Sequence, residues 1–87
     1  MNQRTLISFP CSFPIKVMGE KTEDFLDEVV QVALAFDPTF DRTHVELRTS
    51  SGGKYLGVTL TVMAVDQAQL DALYRALSSH PLVRVVL

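Results

Sequence analysis

The chain contains a single cysteine, Cys11, and therefore cannot close an intramolecular disulfide. This predicts a reducing, cytoplasmic setting. Apolar runs are all much shorter than the ~20 residues that a membrane-spanning helix requires, and the N-terminus lacks the features of a signal peptide, so no membrane association is expected. Basic residues do not outnumber acidic residues either. The formal charge of -2 disfavours a nucleic-acid partner, because no global field attracts phosphate.

The remaining composition is that of one small folded domain. Hydrophobic residues make up 47% of the 87 residues, and no low-complexity tract interrupts them, which excludes disorder as the default state. A chain of this length buries roughly 60–65% of the surface that its extended form exposes. It can therefore fold alone, with a small margin of stability.

Hydrophobic spacing switches between the periods of strands and helices along the chain. An N-terminal arm, residues 1–12, contains X-Pro pairs that discourage helix. Thr22 is the predicted N-cap of the first helix, and Asp66 with Gln69 has the spacing of a capping box. In chain order, the predicted elements are a strand at 13–18, a helix at 23–36, strands at 44–49 and 55–65 joined by a tight turn at Ser51-Gly52-Gly53, a helix from Asp66 that stops before Pro81, and a strand at 82–87.

The order β-α-β-β-α-β predicts an α+β fold, the ferredoxin-like sandwich, over residues 13–87. Right-handed crossovers can coexist in one sheet only if the first and third strands lie centrally and the other two lie at the edges. Only one side of each strand is consistently apolar, so both helices are expected on the same face of a four-stranded antiparallel sheet. On the second strand, Val45 and Leu47 are assigned to that covered side. The opposite face is left open.

Several unusual strings occur in order along the chain: FPCSFPIKVMG at 9–19, SGGKYL at 51–56, QLDALYRAL at 69–77 and HPLVRVVL at 80–87. From residue 9 onward the chain therefore resembles the YbeD-like family of small bacterial proteins. The resemblance implies a ferredoxin-like fold close to the ACT regulatory domains, which sense small molecules in metabolic enzymes. It also implies a connection to lipoate metabolism, which some members carry. It brings no catalytic residues, because none is established for that family.

The open face of the predicted sheet is the first candidate binding surface. Lys16, Arg48 and Arg84 are expected to project from it, together with the hydroxyls of Thr59 and Thr61. We predict that these cations meet an acidic protein partner or a small carboxylate ligand; an ordinary solvated sheet face is the alternative. The thioethers expected beside them belong to Met18 and Met63.

The connection after the first strand is the second candidate site, because ACT-like domains typically bind an amino acid there through backbone groups. Gly19 would allow the backbone to approach a ligand, and Lys21 would meet its carboxylate beside Thr22. The acidic residues from Glu20 onward favour a zwitterion over a simple anion. The alternative is that Gly19 is an ordinary residue of a strand-to-helix turn.

No constellation in the sequence amounts to a metal, cofactor or catalytic site. His44 and Glu46 would share one face of a strand, yet two ligands are fewer than structural or catalytic zinc sites use. Cys11 is expected to be a small apolar anchor. Acylphosphatases, which share this topology, grip phosphate with an arginine after the first strand; the corresponding loop here, residues 19–21, has none.

RNA recognition motifs of the same topology stack bases on aromatic side chains of the two central strands. Tyr55 alone does not make such a platform, so RNA binding stays a minor alternative. We therefore predict a non-enzymatic regulatory or adaptor module that binds protein through its open face or an edge strand, with a homodimer as one form. A sensor of a small molecule, such as an amino acid or a lipoate-related metabolite, is the main alternative.

Overall fold

The computed structural model describes residues 8–87, and residues 1–7 of the predicted arm lie outside this range. The element order is the predicted β-α-β-β-α-β. Within residues 8–87, no helix combines the length and the apolar character needed to cross a membrane. The elements are β1 (Cys11–Glu20), α1 (Phe25–Phe36), β2 (Glu46–Thr49), β3 (Tyr55–Ala64), α2 (Gln67–Ser78) and β4 (Val83–Val86), and a 3-10 turn at Arg42–His44 precedes β2.

The four strands form one sheet in the order β2-β3-β1-β4, and every neighbouring pair is antiparallel. This confirms the predicted α+β ferredoxin-like sandwich, with the first and third strands in the centre. The central pair runs in one register from Cys11 opposite Ala64 to Glu20 opposite Tyr55. The β2–β3 pairing is equally regular, whereas the register between β1 and β4 shifts at Met18 and Gly19.

The core lies between the sheet and the two helices, which cover the same face. Alternate residues of β1 and β3 are buried there, and the residues between them lie on the uncovered side, called the open face below. Each helix presents one apolar stripe to the sheet. The fully or nearly fully buried side chains include Ile15 and Val17 of β1, Val58, Leu60 and Val62 of β3, Phe25, Val29 and Val30 of α1, and Leu70, Leu73 and Leu77 of α2.

The start of α2 follows the predicted capping pattern. The Asp66 carboxylate accepts a hydrogen bond from the Gln69 N–H at 2.8 Å, which satisfies one of the free donors of the first turn. The Gln69 amide reaches back further than a capping box requires. Its oxygen accepts from Val65 N–H at 2.6 Å, and its nitrogen donates to the Phe36 carbonyl at 2.8 Å, so one side chain ties the start of α2 to the end of α1.

The start of α1 differs from the prediction. The helix begins at Phe25, and Asp24 occupies the N-cap position without a side-chain hydrogen bond. Thr22 is therefore not the cap. Its carbonyl instead accepts from the Phe25 N–H at 3.4 Å, so residues 22–24 form a turn that leads into the helix.

The second strand also differs from the prediction, both in its start and in its burial. It begins at Glu46, because the segment before it folds into a 3-10 turn in which the Asp41 carboxylate accepts from the Thr43 N–H at 2.9 Å. Leu47, predicted to be core, is 53% exposed. It lies opposite the buried Val58, but it stands on a short edge strand that the helices do not cover.

The first strand is longer than predicted at both ends. Cys11 and Ser12 pair with Ala64 and Met63 and so belong to the sheet rather than to an arm. At the other end, Gly19 is a buried strand residue, not a loop residue. A β-carbon on Gly19 would overlap the carbonyl oxygen of Leu82 and the ring of Phe25, so glycine is required there by close packing.

We predict that Gly19→Ala destabilises the fold by about 1–3 kcal/mol, because the added methyl group forces the Phe25 ring or the Leu82 backbone to move. Urea unfolding measures the loss. Gly52→Ala is the matched control, since its β-carbon would meet nothing within 4 Å. Equal stability of the Gly19→Ala variant and the wild type would contradict the packing argument.

Candidate functional site

The open face carries a groove of about 770 Å³ on the side of the sheet where β2 lies. Its lining comes from the central strands β1 and β3, from β2 and from the turn that follows β2. This open-face groove contains the oppositely charged side chains of Glu46 and Arg48 from β2 and the ammonium group of Lys16 from β1. The residues that matter for its chemistry are Lys16, Met18, Glu46, Arg48, Gly57 and Thr59.

The register of the sheet explains why these residues meet. Thr59 lies opposite Lys16 on one side and Glu46 on the other, so these three form one row across the face. The next row runs from Met18 through Gly57 to Arg48. Gly57 has no side chain to stand between its neighbours, and this lowers the floor of the groove in the middle of that row.

The charges in the groove form no ion pairs within residues 8–87. Among the ion pairs of the described residues, none involves Lys16, Arg48 or Glu46. Arg84 behaves differently: its guanidinium donates to the Glu20 carboxylate at 2.5 Å, at the opposite side of the sheet. The structure therefore brings two of the three predicted cations into one groove and ties the third to an acid.

Two further residues predicted for the open face lie in a second hollow, of about 310 Å³. Thr61 stands opposite Pro14 and Met63 opposite Ser12, toward the end of β3. The hollow is also lined by Asp37, Thr39, Asp41 and His44. Thr61 is thus separated from Thr59, with which it was grouped, and does not line the open-face groove.

Asp37 is the buried polar side chain of this hollow. Its carboxylate accepts hydrogen bonds from the N–H and the hydroxyl of Thr39, at 3.0 and 2.6 Å, and from the Met63 N–H at 2.8 Å. Burial acts to raise the pKa of Asp37, but the hydrogen bonds from Met63 and Thr39 outweigh it and hold this pKa below its ordinary value. Asp37 is thus an ionised clamp between the end of α1 and the end of β3.

No group of three or more histidine, cysteine or carboxylate side chains within residues 8–87 could hold a metal ion. His44 and Glu46 do not share a strand face as predicted, because His44 belongs to the 3-10 turn and Glu46 opens β2. The His44 ring instead lies 3.3 Å from the Asp41 carboxylate. This separation removes the one metal pair that the sequence suggested.

The predicted ligand-binding connection also looks different in the structure. Gly19 lies within β1, and the Phe25 ring occupies the space where a side chain of residue 19 would stand. A ligand therefore cannot approach the backbone of Gly19 from that side. The Lys21 N–H donates to the Lys54 carbonyl at 2.8 Å, and the Thr22 carbonyl accepts from Phe25. What remains exposed here are the side chains of Lys21 and Thr22.

Aromatic residues are sparse on the open face. Along the described strands, Tyr55 is the aromatic side chain that alternates onto it, and the Lys54 ammonium lies 5.5 Å from the centre of its ring. Base stacking on two central strands needs more than this.

Two features of the site escaped the sequence analysis. Strand alternation sets Glu46 and Arg48 on the same face, but only the cations were considered as binding residues, so the mixed charge of the groove was missed. The sequence pattern assigned Asp37 no role in a site. Its bond to Met63 spans 26 residues, and no local pattern signals such a contact.

Comparisons with known proteins identify relatives along almost the entire chain. The model of the family described as "Protein of unknown function (DUF493)" matches residues 4–87. The UPF0250 protein RSc0326 of Ralstonia nicotianae is 53% identical over 85 residues, which cover 98% of this chain and 88% of that protein. The UPF0250 protein NE1487 of Nitrosomonas europaea is 42% identical over 87 residues and covers both chains completely.

A solved structure supports the fold. The solution structure of protein HP0495 from H. pylori superimposes with a TM-score of 0.76, covering 93% of this chain and 85% of that one. At 15% sequence identity the likeness concerns the fold alone.

We predict that Asp37→Asn lowers the free energy of unfolding at neutral pH by about 1–3 kcal/mol. The aspartate accepts from Thr39 with one carboxylate oxygen and from Met63 with the other, whereas an asparagine amide has a single accepting oxygen. The folded-state pKa of Asp37 lies below its unfolded value. Its contribution is therefore present above about pH 4 and is lost as the pH falls through the folded pKa. Urea unfolding at several pH values should show a smaller acid-induced loss for the variant.

Asp41→Asn is the matched control. Asp41 makes the same two bonds to a threonine two residues on, but it is exposed and holds no distant backbone group. A loss as large as that of Asp37→Asn would show that the local turn, and not the link to β3, carries the effect.

Proposed function

We propose that this chain, which belongs to the DUF493 family of small bacterial proteins, is a non-enzymatic regulatory or adaptor module that binds an acidic protein segment on its open face. The observation that carries the proposal is the convergence of Lys16 and Arg48 on one groove while neither forms an ion pair within the described residues. Unpaired cations that share a concave surface attract carboxylates and steer their approach.

The apolar part of the same face favours a protein over a simple anion. Lys16 and Leu87 exchange backbone hydrogen bonds of 3.2 and 2.8 Å, so Leu87 extends the sheet beside Lys16, and Val85 lies opposite Met18. Leu87 is 66% and Val85 44% exposed. The face thus passes from apolar side chains at the β4 edge to charged ones at the β2 edge, and protein interfaces commonly combine an apolar centre with a polar rim.

The partner that fits this gradient is a segment with acidic and apolar side chains. Its carboxylates would lie over Lys16 and Arg48, and its apolar side chains would lie over Met18, Val85 and Leu87. Self-association through an edge strand is a second form of the same binding function, since within residues 8–87 the strands β2 and β4 each have a strand neighbour on one side only. We propose that this binding takes place in the cytoplasm, in keeping with the single cysteine.

We predict that Lys16→Glu reduces the capture of protein partners from a cell extract by roughly tenfold, because a carboxylate then faces the acidic segment. Immobilised wild type and variant are compared by quantitative mass spectrometry, and each partner is confirmed with purified protein. Arg75→Glu is the control: it makes the same charge change on an exposed position of α2, away from the open face. Equal capture by Lys16→Glu and wild type would remove the open face as the docking surface.

The alternative proposal is an ACT-like sensor of an amino acid or a lipoate-related metabolite. The observation in its favour is that the Lys21 ammonium and the Thr22 hydroxyl are exposed together between β1 and α1. Gly19 is closely packed against Phe25 and Leu82, and the Lys21 N–H is already bonded to the Lys54 carbonyl. Because these backbone groups are occupied, the adaptor is the better supported function.

Thermal unfolding separates the two proposals. A sensor gains stability with its ligand by mass action, about 2.7 kcal/mol at a hundredfold excess over the dissociation constant. We expect no shift with the common amino acids, lipoate or lipoyl-lysine. A shift with one of them that Lys21→Ser abolishes would favour the sensor over the adaptor.

A further inference from the structure

The two edges of the sheet are not equally protected against pairing with another strand. The β4 edge carries a register shift at its pairing with β1, and Arg84, at that irregularity, is held by Glu20. Such bulges discourage further pairing. The β2 edge has no irregularity, no proline, and four exposed residues, Glu46–Thr49. Of the two edges, the β2 edge is therefore the one better suited to pair with a strand of another chain.

The direction of the backbone groups on β2 follows from its hairpin with β3. The Ser50 N–H donates to the Tyr55 carbonyl at 2.9 Å, so Ser50 faces β3. Because successive residues of a strand point their N–H and C=O groups to opposite sides, Arg48 and Glu46 also face β3. Leu47 and Thr49 then direct their N–H and C=O groups away from the sheet, where no strand of residues 8–87 binds them.

We infer that a second copy of this chain pairs with this edge, β2 against β2 and antiparallel, about a two-fold axis at Leu47. The inference rests on the proposed binding function and assigns the partner of one of its surfaces. Leu47 would exchange two backbone hydrogen bonds with Leu47 of the second copy. Thr49 would pair in the same way with Val45 of the second copy.

The charges of β2 are self-complementary in this register. Glu46 and Arg48 are two residues apart on the open face, so the axis at Leu47 sets Glu46 of each copy directly opposite Arg48 of the other. In such non-hydrogen-bonded pairs the β-carbons lie about 4.5–5.5 Å apart, within easy reach for an ion pair. On the other side of the sheet the two Leu47 side chains, 53% exposed in one copy, cover each other.

No neighbouring register offers this match. An axis at Glu46 or at Arg48 places two like charges opposite each other, which destabilises a strand pair. An axis at Thr49 sets Arg48 against Ser50, and an axis at Val45 sets it against Arg42. Charge complementarity therefore selects the axis at Leu47.

The paired sheets share one open face, because residues opposite each other in antiparallel strands point to the same side. The grooves of the two copies then adjoin at the seam. Glu46 and Arg48 pair across the seam, so in the dimer Glu46 competes with the acidic segment for Arg48, whereas Lys16 of each copy lies outside the seam. This is why Lys16, and not Arg48, is the informative variant for the open-face partner.

A charge swap tests the register. The association of the purified chain is measured by sedimentation equilibrium over a wide range of concentration. Glu46→Arg and Arg48→Glu each replace two attractive pairs with two repulsive ones, so each variant alone should dimerise at least roughly tenfold more weakly than the wild type. An equimolar mixture of the two variants restores both pairs and should form a heterodimer. The double variant carrying both changes should again form a homodimer.

The controls address charge and folding. Arg75→Glu and Glu23→Arg make the same charge changes at exposed positions of α2 and of the segment before α1, and both should dimerise as the wild type does. Recovery of association in the mixture shows that each single variant is folded. If the mixture stays monomeric while circular dichroism shows both variants folded, the axis at Leu47 is wrong.

A backbone variant tests the edge itself. Because the Leu47 N–H points away from β3, Leu47→Pro keeps the β2–β3 hydrogen bonds and removes a donor from the proposed seam. Dimerisation should be lost while the thermal unfolding of the monomer stays cooperative. Full dimerisation of Leu47→Pro would place the contact elsewhere.

The outcomes separate this inference from the proposed function. A wild-type chain that is monomeric at all accessible concentrations overturns the β2 dimer. The Lys16-dependent capture of an acidic partner is measured independently, on a residue outside the seam. A β2 dimer that captures no partner through Lys16 would leave the dimer standing and remove the open-face adaptor.

Discussion

The pairing of β1 with β3 is the constraint on which the rest of the molecule depends. Ten residues of each strand pair in a single register, so the alternation of one strand matches that of the other along the full length. Ile15 and Val17 thereby fall on the same side as Leu60 and Val58, and this apolar side is wide enough for two helices. Both helices lie there because burying apolar area is the main favourable term in folding, and the other side offers them none.

The same pairing builds the functional surfaces. Lys16, Thr59 and Glu46 form a row only because three strands keep one register, and a slip of one residue on β1 would turn Lys16 into the core. Regular pairing with β3 and the tight turn at Gly53 hold β2 at the edge of the sheet. The φ of Gly53 is 75°, a conformation that suits glycine. A short strand that the helices do not cover leaves Leu47 exposed, and an uncovered regular edge is a place where other chains bind.

The periodicity of the sequence was sufficient for the fold and for part of the candidate site. The apolar side of β3 and the Asp66 cap of α2 were predicted correctly, since both depend on neighbouring residues. The errors have a different origin. Leu47 was assigned to the core, but the helices do not reach the edge strand on which it lies. Thr22 was assigned as the N-cap of α1, but it belongs to a turn before the helix, and this turn places Phe25 against Gly19. Neither outcome can be calculated from residues within one turn or one strand.

Element order, strand alternation, the α2 cap and the existence of an open sheet face were determined by the sequence itself, because spacing and local hydrogen-bonding preference act between near neighbours. Only the tertiary structure decided which charges remain free. Arg84 is paired with Glu20, 64 residues away, while Lys16 and Arg48 share a groove without ion pairs in residues 8–87. The physical reason is that a charge is neutralised by whatever group the fold brings within a few ångströms, and contacts across the sheet carry no signature in the local pattern.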